Sequence, residues 1–146
     1  MFPDWKNWRH VVKLDPDKAA DEYMIEQVVA SGTDAIIVGG TQNISREKVL
    51  RLYKLLKPYP LPKILEVSSV DAISFGFDGY LIPIVLNAGH PQWLIGAHKE
   101  AVKLIGELMD WQVLLPEGYI ILNPDCAAAE LTKAINTLSR EDVLAY

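Results

Sequence analysis

The stretch Arg9-His10-Val11-Val12-Lys13-Leu14-Asp15-Pro16 constrains this chain more than any other. His10 to Leu14 is too short for a stable helix and carries β-branched residues, which predicts a first β-strand. Pro16 pushes Asp15 toward extended geometry, so Asp15 marks the strand exit. Strand residues two apart point to the same side, so Lys13 and Asp15 can share one mouth of a sheet or barrel, where an anion and a hard cation could meet. An exposed lysine followed by an Asp-Pro turn is the plainer alternative, because such endings are common turn chemistry.

The same plan then recurs along the chain. Ala19 to Ala30 carries Met24, Ile25, Val28 and Val29 at helical spacing, with Gly32 as its stop. Ala35-Ile36-Ile37-Val38 is a continuous apolar run of the buried parallel-strand kind and ends in Gly39-Gly40-Thr41. Paired glycines let backbone approach a ligand closely, and the Thr41 hydroxyl suits a metal, a diphosphate oxygen or a neighbouring peptide group. Ser45 with Glu47 opens a second helix, whose Val49, Leu52, Leu55 and Leu56 form an apolar stripe up to Pro58. The prolines of Pro58-Tyr59-Pro60-Leu61-Pro62 make a stiff connector into a third strand, Lys63 to Val67. Glu66 interrupts that strand and faces either a polar barrel interior or the solvent.

A turn at Phe75-Gly76-Phe77-Asp78-Gly79 leads to a fourth strand, Tyr80 to Val85, in which Pro83 predicts an irregular or bulged position. His90-Pro91 opens the longest helix, roughly Gln92 to Met109, with Leu94, Ala97, Ala101, Leu104 and Leu108 on one face. A fifth strand, Tyr119 to Leu122, exits into Asn123-Pro124-Asp125. Cys126 to Leu131 starts a helix, and Ser139 caps another that reaches Tyr146. Trp5 and Trp8 suit a helical turn packed over one end of the core. His90 and His98 stand apart from other ligand types, which favours packing roles over a zinc site of about four clustered ligands.

Strands alternating with helices predict an α/β protein with a parallel sheet. No Gly-x-Gly-x-x-Gly or lysine-bearing phosphate loop follows a strand, which removes the best support for a nucleotide-binding open sheet. Polar strand exits fit a (β/α)8 TIM barrel, and since a full barrel needs about 250 residues, residues 1–146 read as the amino-terminal part of one such domain, about its first five βα units. An excess of 19 acidic over 14 basic side chains, net charge -5, argues against nucleic acid as a partner. The single cysteine, Cys126, fits a reducing compartment, and cytoplasm is expected. No apolar run approaches the roughly 20 residues of a membrane span, so any membrane contact would be peripheral.

Taken in order, His10 to Pro16, Ser31 to Thr41, Leu65-Glu66-Val67-Ser68, Ile82 to Asn87 and Glu117 to Cys126 resemble the PcrB-type heptaprenylglyceryl phosphate synthases, bacterial relatives of geranylgeranylglyceryl phosphate synthase. The resemblance runs along essentially the whole chain and covers the amino-terminal part of the family's barrel. It implies a prenyltransferase that joins sn-glycerol 1-phosphate to a long-chain prenyl diphosphate through an ether. It further implies that Lys13 contacts the glycerol phosphate, that Asp15 and Thr41 hold Mg2+, that the small Ala101 lies where prenyl length is limited, and that the full-length protein is a homodimer. Carboxylate and hydroxyl oxygens suit a hard cation, and an ammonium suits a phosphate. The family's Tyr-Leu-Glu-Tyr-Ser-Gly-type strand, to which the resemblance assigns the general base, and its glycine-rich phosphate loops have no counterpart before Tyr146. The 146 residues alone are therefore expected to be inactive. The alternatives are a non-catalytic half-barrel that packs against another chain, or another barrel enzyme acting on a phosphorylated small molecule.

Overall fold

The computed structural model describes residues 1–146. Five strands, β1 (Val11–Leu14), β2 (Ala35–Val38), β3 (Lys63–Glu66), β4 (Gly79–Val85) and β5 (Leu114–Tyr119), form one sheet in the order β1-β2-β3-β4-β5. The pairs β1/β2, β2/β3 and β3/β4 are parallel. A doubly wound sheet reverses its strand order at a switch point, whereas here every neighbour in space is the neighbour in sequence. Sequential parallel order is what a barrel produces, so the expected fold class is found.

Each early crossover returns through a helix capped as the sequence suggests. In α1 (Glu22–Ala30) the Asp21 carboxylate accepts the Met24 N–H at 2.8 Å. This cap starts the helix three residues later than the expected Ala19. In α2 (Arg46–Leu56) the Ser45 hydroxyl accepts from Lys48 N–H at 3.4 Å. The third crossover holds only a 3-10 turn, Val70–Ala72.

The chain divides into two compact units, Met1–Ile82 with Asp110–Leu115, and Pro83–Met109 with Pro116–Tyr146. In the first, register sorts side chains between two faces. Leu14 pairs with Val38 and Val38 with Leu65, and these join Ile25 of α1 and Val49, Leu52 and Leu56 of α2 in the hydrophobic core. Full burial of side chains such as Ile25, Val49 and Leu56 contributes roughly 1.5–3 kcal/mol each. The opposite face carries Lys13, Ile37 and Ile64, which are paired in register, and then, two residues further along their strands, Asp15, Gly39 and Glu66.

Carboxylates fix this register at the strand starts. Asp34, just before β2, accepts the N–H groups of Arg9 and His10, and Asp78, just before β4, accepts the N–H of Lys63 at 2.8 Å. Close by, the Phe2 ring lies against Gly79, where a Cβ would come within 2.6 Å of it, and contacts the Trp8 ring at a centroid distance of 6.4 Å. Phe2 and Trp8 thus pack over the amino-terminal end of the strands, with Phe2 as the inserted ring, while Trp5 stays 45% exposed.

In the second unit, α3 spans Gly96–Ile105, flanked by 3-10 turns at Pro91–Trp93 and Gly106–Leu108, in place of one long helix. Gly106 and the non-helical Ile95 interrupt the expected run, and Leu104 and Leu108 of the apolar stripe stay 66% and 71% exposed. β4 runs unbroken through Pro83 rather than bulging there. Its register with β3 ends at Leu81, so no ladder bond to β3 is asked of the proline nitrogen. Tyr119 to Leu122 is not the fifth strand, which lies at Leu114–Tyr119. Ile121 is held instead by the buried Asn87, whose amide donates to the Ile121 carbonyl at 2.8 Å and accepts its N–H at 2.9 Å. The last helices are α4 (Ala127–Thr132), capped by Cys126, and α5 (Arg140–Ala145), opened by a Ser139/Asp142 capping box. No helix is long and apolar enough to cross a membrane.

Candidate active site

The carboxyl-terminal mouth of β1, β2 and β3 gathers the polar residues of the first unit. Lys13 reaches past β2 to β3, where its Nζ donates to both carboxylate oxygens of Glu66 at 2.6 Å. The Glu66 side chain is 7% exposed and that of Lys13 is 42% exposed, so the carboxylate is buried while the ammonium side faces solvent. Gly39, the residue that follows β2, makes this approach possible. A Cβ there would lie 2.7 Å from the Glu66 Cβ and 3.2 Å from its Oε1. Of the two orientations open to Glu66, the structure shows the inward one, with Lys13 as its partner.

Asp15 sits at the exit of β1 as expected. Its Oδ1 accepts the Asp17 N–H at 2.9 Å, closing an Asx turn over Pro16, and lies where a Cβ on Gly40 would come within 2.5 Å. Thr41 follows in the same loop and is exposed. The two glycines therefore have separate tasks, Gly39 leaving room for Glu66 and Gly40 for Asp15. The Asp15 carboxylate and the Thr41 hydroxyl are hard oxygen donors, the chemistry that suits Mg2+, which takes one or two carboxylates and completes its shell with water and substrate phosphate. No group of three or more His, Cys, Asp or Glu side chains is arranged to hold a metal ion.

Three residues of this region were not singled out from sequence. Lys48 in the first turn of α2 pairs with Asp17 at 2.5 Å and also donates to the Asn43 carbonyl at 2.9 Å, which ties the loop after β1 to the loop after β2. The Lys48 ammonium, with a smaller contribution from the Asn43 amide, holds the Asp17 carboxyl below its usual range. Ser68, two residues past Glu66, has a buried hydroxyl oxygen with no hydrogen-bond partner in the chain. Asp17 and Lys48 lie 31 residues apart, so no local pattern links them, and Ser68 enters the sequence reading only as the last residue of the Leu65-Glu66-Val67-Ser68 motif.

The remaining candidates lie elsewhere. Ala101 is half-buried on α3, in the second unit. His90 caps a 3-10 turn by accepting the Gln92 N–H, and His98 Nε2 lies 3.0 Å from the Pro83 carbonyl, so both histidines serve local packing. A hollow of about 330 Å3 lined by Pro3, Pro60, Pro62, Lys63 and Asp78 opens at the amino-terminal end of β3, away from Glu66. Its charges are already satisfied, since Asp78 accepts the Lys63 N–H and the Lys63 ammonium donates to the Tyr59 and Leu61 carbonyls at 2.7 Å.

The profile of the PcrB family matches residues 3–146. The chain belongs to the PcrB family. The heptaprenylglyceryl phosphate synthase of Geobacillus kaustophilus is 49% identical over 139 residues, which is 95% of this chain and 58% of that protein. The chain thus spans 58% of the length of this PcrB relative. Among solved structures, wild-type GGGPS from Thermoplasma volcanium superposes with a TM-score of 0.81 at 26% identity, covering 95% of this chain and 57% of the other. The (S)-3-O-geranylgeranylglyceryl phosphate synthase of Thermoplasma acidophilum, solved in complex with substrate sn-glycerol-1-phosphate, shares the fold with a TM-score of 0.74 at 22% identity, covering 88% and 53% of the two chains. Family and fold class therefore stand as the sequence motifs implied.

Proposed function

We propose that this PcrB chain carries part of the active site of a Mg2+-dependent prenyltransferase that joins sn-glycerol 1-phosphate to a long-chain prenyl diphosphate, heptaprenyl in the bacterial relatives. The observation that carries the reading is that one strand mouth holds both the Lys13 ammonium, gripped by Glu66, and the Asp15 carboxylate, with Gly39 and Gly40 leaving room for the two acids. The named activity of the relatives and the glycerol phosphate complex of a structural neighbour support it.

In the reaction, the primary hydroxyl oxygen of the glycerol phosphate attacks C1 of the prenyl diphosphate. A C–O ether bond forms, the bond from C1 to the diphosphate oxygen breaks, and diphosphate leaves with the electron pair. The hydroxyl proton passes to a base outside residues 1–146. Lys13 binds the glycerol phosphate and so sets where the attacking hydroxyl lies. Asp15 and Thr41 present oxygens to Mg2+, which when bound neutralises the charge developing on the leaving diphosphate. Ala101 leaves room for the prenyl chain. In this reading residues 1–146 are the amino-terminal part of a single barrel domain, inactive by themselves, and the full-length enzyme is a cytoplasmic homodimer that meets membranes only peripherally.

The test is transfer of radiolabelled prenyl diphosphate to sn-glycerol 1-phosphate with Mg2+, comparing the 146-residue chain with one extended to the length of its relatives, each with an Asp15→Ala control. Activity in the extended protein alone, lost in Asp15→Ala, is expected. Absence of transfer in both would overturn the synthase reading.

A further inference from the structure

Glu66 carries one of the few charges placed inside the strand layer of the first unit, and both its oxygens face the Lys13 ammonium at 2.6 Å. A half-buried ion pair is a weak source of stability, because desolvation of the buried carboxylate offsets much of the attraction and water on the lysine side screens the rest. Its geometric effect is larger. A lysine has a long, flexible stem that places its charge almost anywhere within reach, and a two-oxygen acceptor fixed on a strand removes that freedom. Three strands share in the arrangement: β1 supplies the lysine, β3 the carboxylate, and Gly39 after β2 the gap that Glu66 fills. The Lys13 side chain remains 42% exposed, so a phosphate can reach the ammonium from solvent while Glu66 holds it from within.

We infer that Glu66 is a positioning residue, clamping the Lys13 ammonium over β2 so that the substrate phosphate is seated at one fixed place, with weaker phosphate binding as the consequence. The inference rests on the reading of Lys13 as the phosphate ligand. Weaker binding follows because the phosphate and the Glu66 carboxylate are like charges on either side of one ammonium, a repulsion that outweighs the gain from pre-ordering one side chain. Without the carboxylate the like-charge repulsion is gone and the phosphate is held more tightly, but the two-oxygen grip on the ammonium is lost and the attacking hydroxyl is less precisely placed.

The experiment uses the whole gene product, unaltered and as Glu66→Gln and Lys13→Ala. Nitrogen-15 NMR of the lysine Nζ groups reads proton exchange with water before ligand is added, and calorimetry reads sn-glycerol 1-phosphate affinity. Slow exchange at Lys13 in the unaltered protein, lost in Glu66→Gln, is expected, with sn-glycerol 1-phosphate bound about tenfold tighter by Glu66→Gln and transferred about tenfold more slowly at saturation. Glutamine places an N–H where one acceptor oxygen stood, so it cannot reproduce the two-oxygen grip. If Lys13 exchanges as fast as surface lysines in the unaltered protein, the clamp is overturned even if Glu66→Gln does not fold. If Lys13→Ala leaves the affinity unchanged, the phosphate reading fails and the clamp falls with it. If Lys13→Ala weakens binding but Glu66→Gln does not tighten it, the clamp alone is wrong.

Discussion

Asp34 and His10 are tied twice: the His10 N–H donates to Asp34 Oδ2 at 2.9 Å, and the Asp34 N–H donates to the His10 carbonyl at 2.8 Å. The same carboxylate oxygen also accepts the Arg9 N–H at 2.7 Å. These bonds, that from His10 first and then that from Arg9, hold the Asp34 carboxyl below its usual pKa of 3.8. A carboxyl depressed in the folded state adds stability that is complete above the unfolded pKa and fades as pH falls through the folded one. The Asp34→Asn protein should therefore unfold at lower urea than the unaltered protein at pH 7, and the gap should close in acid. Urea titrations at the two ends of that range check it.

Lys13→Met leaves the Glu66 carboxylate buried without its ammonium. Removing one partner of a fully buried pair costs several kcal/mol, but water reaches the Lys13 side of this one, so a loss of about 1–2 kcal/mol is expected. Adding Glu66→Gln in the same chain should restore most of the loss. Denaturant unfolding of the single and double variants measures both steps.

Gly40→Ala places a Cβ within 2.5 Å of Asp15 Oδ1 and 2.8 Å of Ile44 Cδ1, so the carboxylate must shift. Stability should fall by about 1–3 kcal/mol through overpacking. The Mg2+ concentration for half-maximal prenyl transfer should rise several-fold, while the KM for sn-glycerol 1-phosphate changes little. Mg2+ titration of the transfer assay separates the two.

Ser68→Ala removes a buried hydroxyl that has no partner within the chain. An unsatisfied group of that kind costs stability, so the alanine protein should be about 1 kcal/mol more stable. A coincident fall in substrate affinity, read by calorimetry, would mark the hydroxyl as a ligand contact.

What could be read from the chain followed from how local each signal was. Ala35–Val38 is found with the expected bounds because a continuous apolar run flanked by Asp34 and Gly39 has few other uses. α2 appears with its stripe buried, since Val49, Leu52 and Leu56 recur at helical spacing behind a serine cap. Leu114–Tyr119 is a strand despite Pro116 and Gly118, two residues that argue against one in sequence. The apolar Ile120 to Leu122 was the tempting substitute, and the reason it is not a strand is a side chain, Asn87, more than thirty residues earlier. For the site, Lys13 and Asp15 were legible as a strand ending, but the orientation of Glu66 depended on register across three strands, which no single stretch encodes.

Asp34 and Asp78 gain a further meaning from this dependence. Each pins the start of one strand to the residue that introduces a neighbouring one, and strand side chains alternate strictly between faces. A slip of a single residue in β1 would send Lys13 among the helix-facing leucines and bring Leu14 to the mouth, inverting the parity of every position that follows. The chemistry at the mouth is thus guarded from the far ends of the strands, roughly 10 Å away, by two carboxylates that act as registration marks.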